Sequence, residues 1–364
     1  MVWPLLGGAV ALAVACGSTV AAAPQVSVRV DATETISQTD PGYKCWNIDG
    51  SAIRQWDTRD LSSPLLASLG RQSLPGYLRF GGSGNNNLRY ALDMSDESSA
   101  GNRCAALSGS ERCLNRTWVD HLANFAQRSG AKLVFGLNMA VCDSSEGSGN
   151  CFGEPWAAGE AKILMEYLIQ ANHSVFGFEL GNEMDEHYTA SQTAANFRAL
   201  SDLLTQLWPQ TSSRPKLIGP DVHGFHSDPL TSTADGRKLE FLVDFVRNCS
   251  RLHVPLHAAT HHEYVDVDPY PATPPNASQL QVTNEVGSAV NDSLALAAPS
   301  VQIWAGEIGP HNGGKEGHKP AACGTDHRWA NFADSQWYLD AMGVKAANGY
   351  KAFCRQDFVG AHPT

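Results

Sequence analysis

Two segments of the sequence end an apolar run on a carboxylate. Phe176-Gly177-Phe178-Glu179-Leu180 leads into Gly181-Asn182-Glu183, and Val301-Gln302-Ile303-Trp304-Ala305 leads into Gly306-Glu307. Short apolar runs of this kind read as buried strands, and a polar residue directly after one belongs to a rim rather than a core. Two rim carboxyls facing one pocket can cleave an acetal. One protonates the leaving oxygen and the other attacks the anomeric carbon, at roughly 5 to 5.5 Å separation when configuration is retained. Either glutamate alone would more often be a helix N-terminal residue or a surface charge. The pair at two equivalent strand ends is what points to chemistry.

Such a pair needs a scaffold that brings distant strand ends together. Eight runs have strand character: Tyr43 to Ile48, Tyr77 to Phe80, Leu133 to Leu137, Val175 to Leu180, Lys216 to Gly219, Ala258 to Thr260, Val301 to Ala305 and Lys351 to Cys354. Amphipathic stretches lie between them. Thr117 to Arg128 places Trp118, Leu122 and Phe125 on one helical face, and Ala158 to Ile169 and Ala194 to Leu207 have similar periodicity. Eight alternating units predict an α/β fold, a (β/α)8 TIM barrel whose active face is the C-terminal rim of its strands. The alternative is a doubly wound open sheet, but no G-x-G-x-x-G follows the first strand.

The chain has 364 residues, with a net charge of -11 and no dense Lys or Arg cluster. That argues against nucleic acid and against a strongly sulfated polyanion as partners. Met1 to Ala23 reads as a secretory leader cut after Ala22, with a membrane anchor or a lipoprotein signal at Cys16 as alternatives. Sequons at Asn115, Asn172, Asn248, Asn276 and Asn291 fit an exported glycoprotein, secreted, extracellular or lysosomal/vacuolar. Membrane association is compatible with this but not required. Of the 9 cysteines, Cys16 lies in the leader. Cys104 with Cys113 and Cys142 with Cys151 bracket short Gly/Ser-rich loops as disulfide candidates, and the pairing of Cys45, Cys249, Cys323 and Cys354 stays open. Zinc is disfavoured by the spacings. Ser95 to Gly109, Asp143 to Gly153 and Asp266 to Ser278 read as long loops, and Gln25 to Val30 as a strand ahead of the barrel.

Gly181-Asn182-Glu183 together with Gly306-Glu307, on the fourth and seventh strands by count, resembles the barrel glycosidase clan whose acid/base follows strand four and whose nucleophile follows strand seven. Within it the chain is similar to the heparanase and β-glucuronidase family. The likeness rests on Leu78-Arg79-Phe80-Gly81-Gly82-Ser83, Gly219-Pro220-Asp221-Val222, Thr260-His261-His262, Trp304-Ala305-Gly306-Glu307 and Arg355-Gln356, all in the family's order. It covers nearly the whole chain after the leader, and Tyr350 to Gly360 resembles the plant-type branch.

The resemblance implies a retaining hydrolase cleaving β-linked glucuronic acid by double displacement, with Glu183 as acid/base and Glu307 as nucleophile. It implies that Asn182 bonds the sugar 2-hydroxyl and that Asp49 and Ser83 line the sugar site. His262 and Tyr264 would flank the nucleophile, with Gln356 on strand eight. Asp49, Ser83 and Gln356 are equally readable as strand-end capping groups. Backbone N–H groups at Gly313 and Gly314 would receive the uronate carboxylate. No cofactor or metal is required. The partner is a glucuronic acid-containing glycan or a small glucuronide, and sparse basic residues argue against a dedicated heparan sulfate endo-enzyme. An inactive carbohydrate-binding homologue and a barrel glycosidase for a neutral sugar are the alternatives. The chemistry requires Glu183 to keep its proton through a raised pKa while Glu307 stays ionised, helped by His262 or Tyr264.

Three features depart from the family pattern. Glu263 stands at an aromatic position, His311-Asn312 replaces Ala-Tyr before the glycine pair, and the sequence stops at Thr364. Family members continue into a C-terminal β-sandwich that also takes in an N-terminal strand. The expected division is therefore a leader over 1–22, a strand segment over 23–40 and a catalytic barrel over 41–364, a truncated form lacking the sandwich. An unpaired Val-rich strand and an uncovered flank would favour aggregation.

Overall fold

The computed structural model describes residues 33–51, 61–73, 76–92, 112–141, 151–264, 277–309 and 332–356. The leader, the Gln25 to Val30 segment, most of the three long loops and Gly313-Gly314 lie outside the described residues. The chain divides into a unit over Met1–Ile36 and a unit over Ser37–Thr364. Residues 33–36 of the first are irregular and exposed. The second is the barrel.

Ten strands are described: β1 Lys44–Ile48, β2 Tyr77–Phe80, β3 Leu88–Ala91, β4 Arg112–Asn115, β5 Lys132–Leu137, β6 Gly177–Leu180, β7 Lys216–Phe225, β8 Leu256–Tyr264, β9 Gln302–Gly309 and β10 Ala352–Arg355. Eight of them close a parallel barrel in the order β1-β10-β9-β8-β7-β6-β5-β2. These are the eight runs expected from the sequence. The open-sheet alternative is excluded, because β1 pairs with both β2 and β10. A side sheet of β3 and β4, which the sequence reading did not anticipate, sits apart from the closed set.

Seven helices are described: α1 Pro64–Ser73, α2 Arg116–Ser129, α3 Gly159–Gln170, α4 Ala190–Leu207, α5 Thr233–Arg251, α6 Ala277–Ala297 and α7 Phe332–Ala347. The caps fix their starts. Asn115 accepts from the Trp118 N–H at the head of α2. At the head of α4, Thr189 and Gln192 form a reciprocal capping box, so that helix begins four residues before the apolar periodicity does. Among the described residues no helix is long and apolar enough to cross a membrane.

The barrel interior changes character along its axis. Its N-terminal half is a plug drawn from nearly every strand: Cys45, Tyr77, Val134, Ile218, Ala258, Trp304 and Ala352, with Phe176 packed against it. The Tyr77 and Trp304 rings lie 4.5 Å apart. One step further along the strands the inward positions become polar, with Asn47, Arg79, Glu179, Asp221 and Thr260 all fully or nearly fully buried. Cys45 and Cys354, opposite each other on β1 and β10, form a disulfide across the seam where the first and last strands meet. Cys113 and Cys151 are also disulfide-bonded, and their expected partners lie outside the described residues. Cys249 is a free thiol buried in α5.

Candidate active site

Arg79 is the hub of the polar layer. It enters from β2 on the inward parity of Tyr77, and its guanidinium reaches four acceptors: Glu179 at 2.7 Å, Asn182 at 2.9 Å, Asp221 at 3.1 Å and Glu307 at 3.2 Å. A buried cation must satisfy its donors inside the protein, and the planar fork of arginine can serve several carboxylates at once. Burial pushes Glu179 well above the ordinary carboxyl range, so it holds a proton and bonds to Asp221. Burial opposes ionisation of Asp221 as well, but Arg79, His262 and the Glu179 bond outweigh it and hold that carboxyl low.

Above this layer the two glutamates converge. Glu183 follows β6 in a left-handed conformation (φ 55°), and its N–H donates to the carbonyl of Asp221, itself left-handed (φ 56°). This conformation costs non-glycine residues about 1–2 kcal/mol each. Glu307 lies in β9, directly opposite His262 of β8. His262 Nδ1 is 2.8 Å from Glu183 Oε1 and 3.9 Å from Glu307 Oε2, and its Nε2 is 3.4 Å from Asp221 Oδ1. Tyr264 donates its hydroxyl to Glu307 Oε1. One imidazole nitrogen thus faces both carboxylates.

Asn182 is held from three sides. Its N–H donates to Asn86 Oδ1, its carbonyl accepts from Asn86 Nδ2 and its amide approaches Ser83 Oγ at 3.4 Å. Both asparagine and serine partners come from the 3-10 turn Ser83–Asn87 after β2, where Asn85 also bonds the backbone of Gly50, Phe80 and Gly136. The structure therefore brings Ser83, Asn182, Glu183, His262, Tyr264 and Glu307 into one mouth. Asp49 is different. Its carboxylate accepts from the Ser51 N–H at 2.7 Å and faces the Gly84 N–H at 3.5 Å, so it braces the β1 and β2 loops against each other. Gln356 closes β10 against Ile308, and its buried Oε1 has no hydrogen-bond partner among the described residues.

The electrostatic polarity of the pair differs from expectation. Burial favours the neutral form of Glu183, but His262, His223 and Arg79 together lower it to about 2. Glu307 moves the other way, raised by burial and by Glu183 against the pull of His262 and Arg79. His262 resists burial through Glu307, Asp221 and Glu183 and is raised to about 10, so the proton between it and Glu183 resides on the imidazole. The reason is geometric: two imidazoles flank Glu183, whereas Glu307 shares Arg79 with three other groups.

Glu263, the departure from the family's aromatic pattern, stays out of the mouth. Successive strand residues face opposite ways, so His262 and Tyr264 point inward while Glu263 points to the helix layer. There it pairs with the buried ammonium of Lys345 on α7. Lys345 also donates to the Thr283 carbonyl and lies 4.9 Å from the centre of the Tyr350 ring. Arg79, Asp221, His223 and Asn86 were not singled out as site residues from sequence. The signal for Arg79 was present, as the one charge in an otherwise apolar strand.

A closed parallel barrel with facing carboxylates at its C-terminal rim is the architecture of the barrel glycosidases. Residues 25–343 match the family described as "Glycosyl hydrolase family 79, N-terminal domain", and the chain belongs to that family. It is 24% identical to baicalin-beta-D-glucuronidase of Scutellaria baicalensis, covering 90% of this chain and 64% of that protein. It is 24% identical to heparanase-like protein 2 of Arabidopsis thaliana, covering 91% and 61%. The chain thus spans less than two thirds of the length of these relatives. Its fold resembles that of a 4-O-alpha-L-rhamnosyl-beta-D-glucuronidase from Fusarium oxysporum, with a TM-score of 0.56 at 13% identity over 88% of this chain and 64% of that one.

Proposed function

We propose that the barrel mouth is a retaining glycosidase site for β-linked glucuronic acid, in a glycan or a small glucuronide, with Glu183 as acid/base and Glu307 as nucleophile. The observation that carries the reading is the shared contact of His262 Nδ1. The oxygens of the two glutamates can be no further apart than the sum of its contacts of 2.8 and 3.9 Å. That upper bound admits the roughly 5 to 5.5 Å of a retaining pair and reaches only the lower edge of the roughly 6.5 to 9.5 Å of an inverting one. The names of the family relatives support the sugar assignment.

In the first step Glu307, aligned by Tyr264 and Arg79, attacks the anomeric carbon while Glu183 protonates the departing oxygen. Esterification removes the charge of Glu307, and Glu183 then takes a proton from the water that releases the sugar. In the free site Glu183 is the ionised acceptor of the His262 hydrogen bond, so the proton for the first step is taken up as substrate binds. A uronate entering the mouth adds negative charge and expels water, and both effects raise Glu183 toward its acid form. Gly313 and Gly314 remain the proposed carboxylate contacts. The leader-like N-terminus and the sequons support a secretory route for this activity, which a mobility shift on enzymatic deglycosylation of the secreted protein would test.

Turnover of an aryl β-glucuronide at acidic pH, compared with the matching glucoside, arabinofuranoside and xyloside, tests the assignment. The glucuronide should be preferred, and Glu307→Gln should lower kcat by about 10³-fold or more. Preference for a neutral sugar would refute the substrate. Saturable binding without turnover would refute the enzyme reading.

A further inference from the structure

The two oxygens of Glu183 face different surroundings. Oε1 is bound to His262, whose side chain is 0% exposed, whereas Oε2 faces Nε2 of His223 at 3.9 Å, on a side chain that is 31% exposed. His223 lies on β7, two residues beyond Asp221, and does not turn freely. Its Nδ1 is 2.8 Å from Asp185 Oδ1, and its backbone N–H donates to the same oxygen at 3.0 Å. A carboxylate at Nδ1 keeps a proton there, so Nε2 is the ring atom left to meet Oε2. Asp185 is anchored in turn by the loop that carries Glu183, so the imidazole and the glutamate are referenced to one piece of backbone. Oε1 is thus committed to the interior, and Oε2 is the oxygen open to the mouth.

We propose that His223, held by Asp185, is a positioning residue for Glu183 that places the acid proton on Oε2 and lines the leaving-group side of the mouth. The role rests on the glycosidase reading above. Protonation of Glu183 removes one of the charges that favour the imidazolium, and His223 in its neutral form then accepts a hydrogen bond from the proton on Oε2 once a small side-chain movement closes the gap. As the glycosidic C–O bond breaks, that proton passes to the departing oxygen. In the second step water gives its proton back to Oε2 while its oxygen bonds the anomeric carbon and the ester bond from that carbon to Glu307 breaks, which restores the Glu307 carboxylate. The titratable groups facing His223 are Glu183, Asp185 and Glu186 on the β6 side, with His262 of β8 across Glu183. All three carboxylates favour the imidazolium, so His223 should be sensitive to the charge of Glu183.

The test uses aryl β-glucuronides of graded phenol acidity with wild type, His223→Asn and Asp185→Asn, and Glu307→Gln as the inactive control. Poor leaving groups need the acid and activated ones do not. His223→Asn should therefore lose about 10–100-fold in kcat/KM on the poorest phenol and almost nothing on a dinitrophenol, with a displaced pH profile. Asp185→Asn should follow it in the same direction. Separately, the NMR titration midpoint of His223, raised in wild type, should fall in Glu183→Gln. A loss equal across the series, or a His223 midpoint unmoved in Glu183→Gln, overturns the proposal. A wild-type chain that turns over none of the series overturns the glycosidase reading as well. Turnover abolished in Glu307→Gln but level across the series in His223→Asn overturns only the role of His223.

Discussion

Replacing Arg79 by methionine tests the polar layer most directly. The side chain is 1% exposed and bonds three carboxyl groups and an amide, so its loss leaves Glu179, Asp221 and Glu307 facing one another in a dry interior. Removing one partner of a buried ionic cluster costs about 3–5 kcal/mol. At the usual unfolding entropy per residue, a barrel of this size should melt about 4–7 °C lower. The sign with pH is also fixed. Without the guanidinium the folded pKa values of these carboxyls move up, Asp221 from a lowered position and Glu179 and Glu307 from raised ones, so the variant takes up more protons on folding than wild type and recovers stability relative to it as pH falls. Urea unfolding at about pH 8 and about pH 5 reads both quantities. Arg79→Lys, which keeps the charge but not the fork, should restore only part of the loss. A deficit under about 1 kcal/mol, or one equally large at both pH values, would refute the hub.

Other outcomes follow from neighbouring contacts. Lys345→Met and Glu263→Leu should each cost about 3–5 kcal/mol alone, while the double variant recovers most of the loss; additive losses in the cycle would show that the pair is not coupled. In Gly306→Ala the new Cβ would stand 2.6 Å from Asp221 Oδ1, against nothing within 4 Å in the control Gly343→Ala. A loss of about 1–3 kcal/mol confined to the first variant is expected in thermal unfolding. His262, raised from 6.5 to about 10 in the folded state, stabilises the protein fully below its unfolded pKa, and that contribution is lost as pH rises through about 10. The alkaline decline in stability should flatten in His262→Gln, and an unchanged decline would assign it to other groups.

The barrel was legible because each strand announces itself locally through an apolar run and a break. The boundaries were less so: β7, β8 and β9 continue to Phe225, Tyr264 and Gly309, past the point where the apolar pattern stops. Those polar extensions carry Asp221, His223, His262, Tyr264 and Glu307, so the residues that blurred the strand signal are the ones that build the mouth. The partners of Arg79 could not be read in advance, since Glu307 lies 228 residues away and only barrel closure joins them. The polarity of the glutamate pair was misjudged for the same reason, because it depends on which imidazole nitrogen sits within reach. Glu263 could have been placed, as strand alternation alone sends it away from its two neighbours.

The covalent stitch between Cys45 and Cys354 has a temporal side. The two cysteines are 309 positions apart, so on a ribosome adding about 5–20 residues per second the first emerges about 15–60 s before the second. During that interval Cys45 is a thiol without its final partner on a nascent chain that goes on to display Cys104, Cys113, Cys142 and Cys151. The sequence spacing makes those four candidates for two local pairs, and Cys45 waits for the final strand to bring its own partner. Correct oxidation is then a late checkpoint that only a finished cylinder can pass.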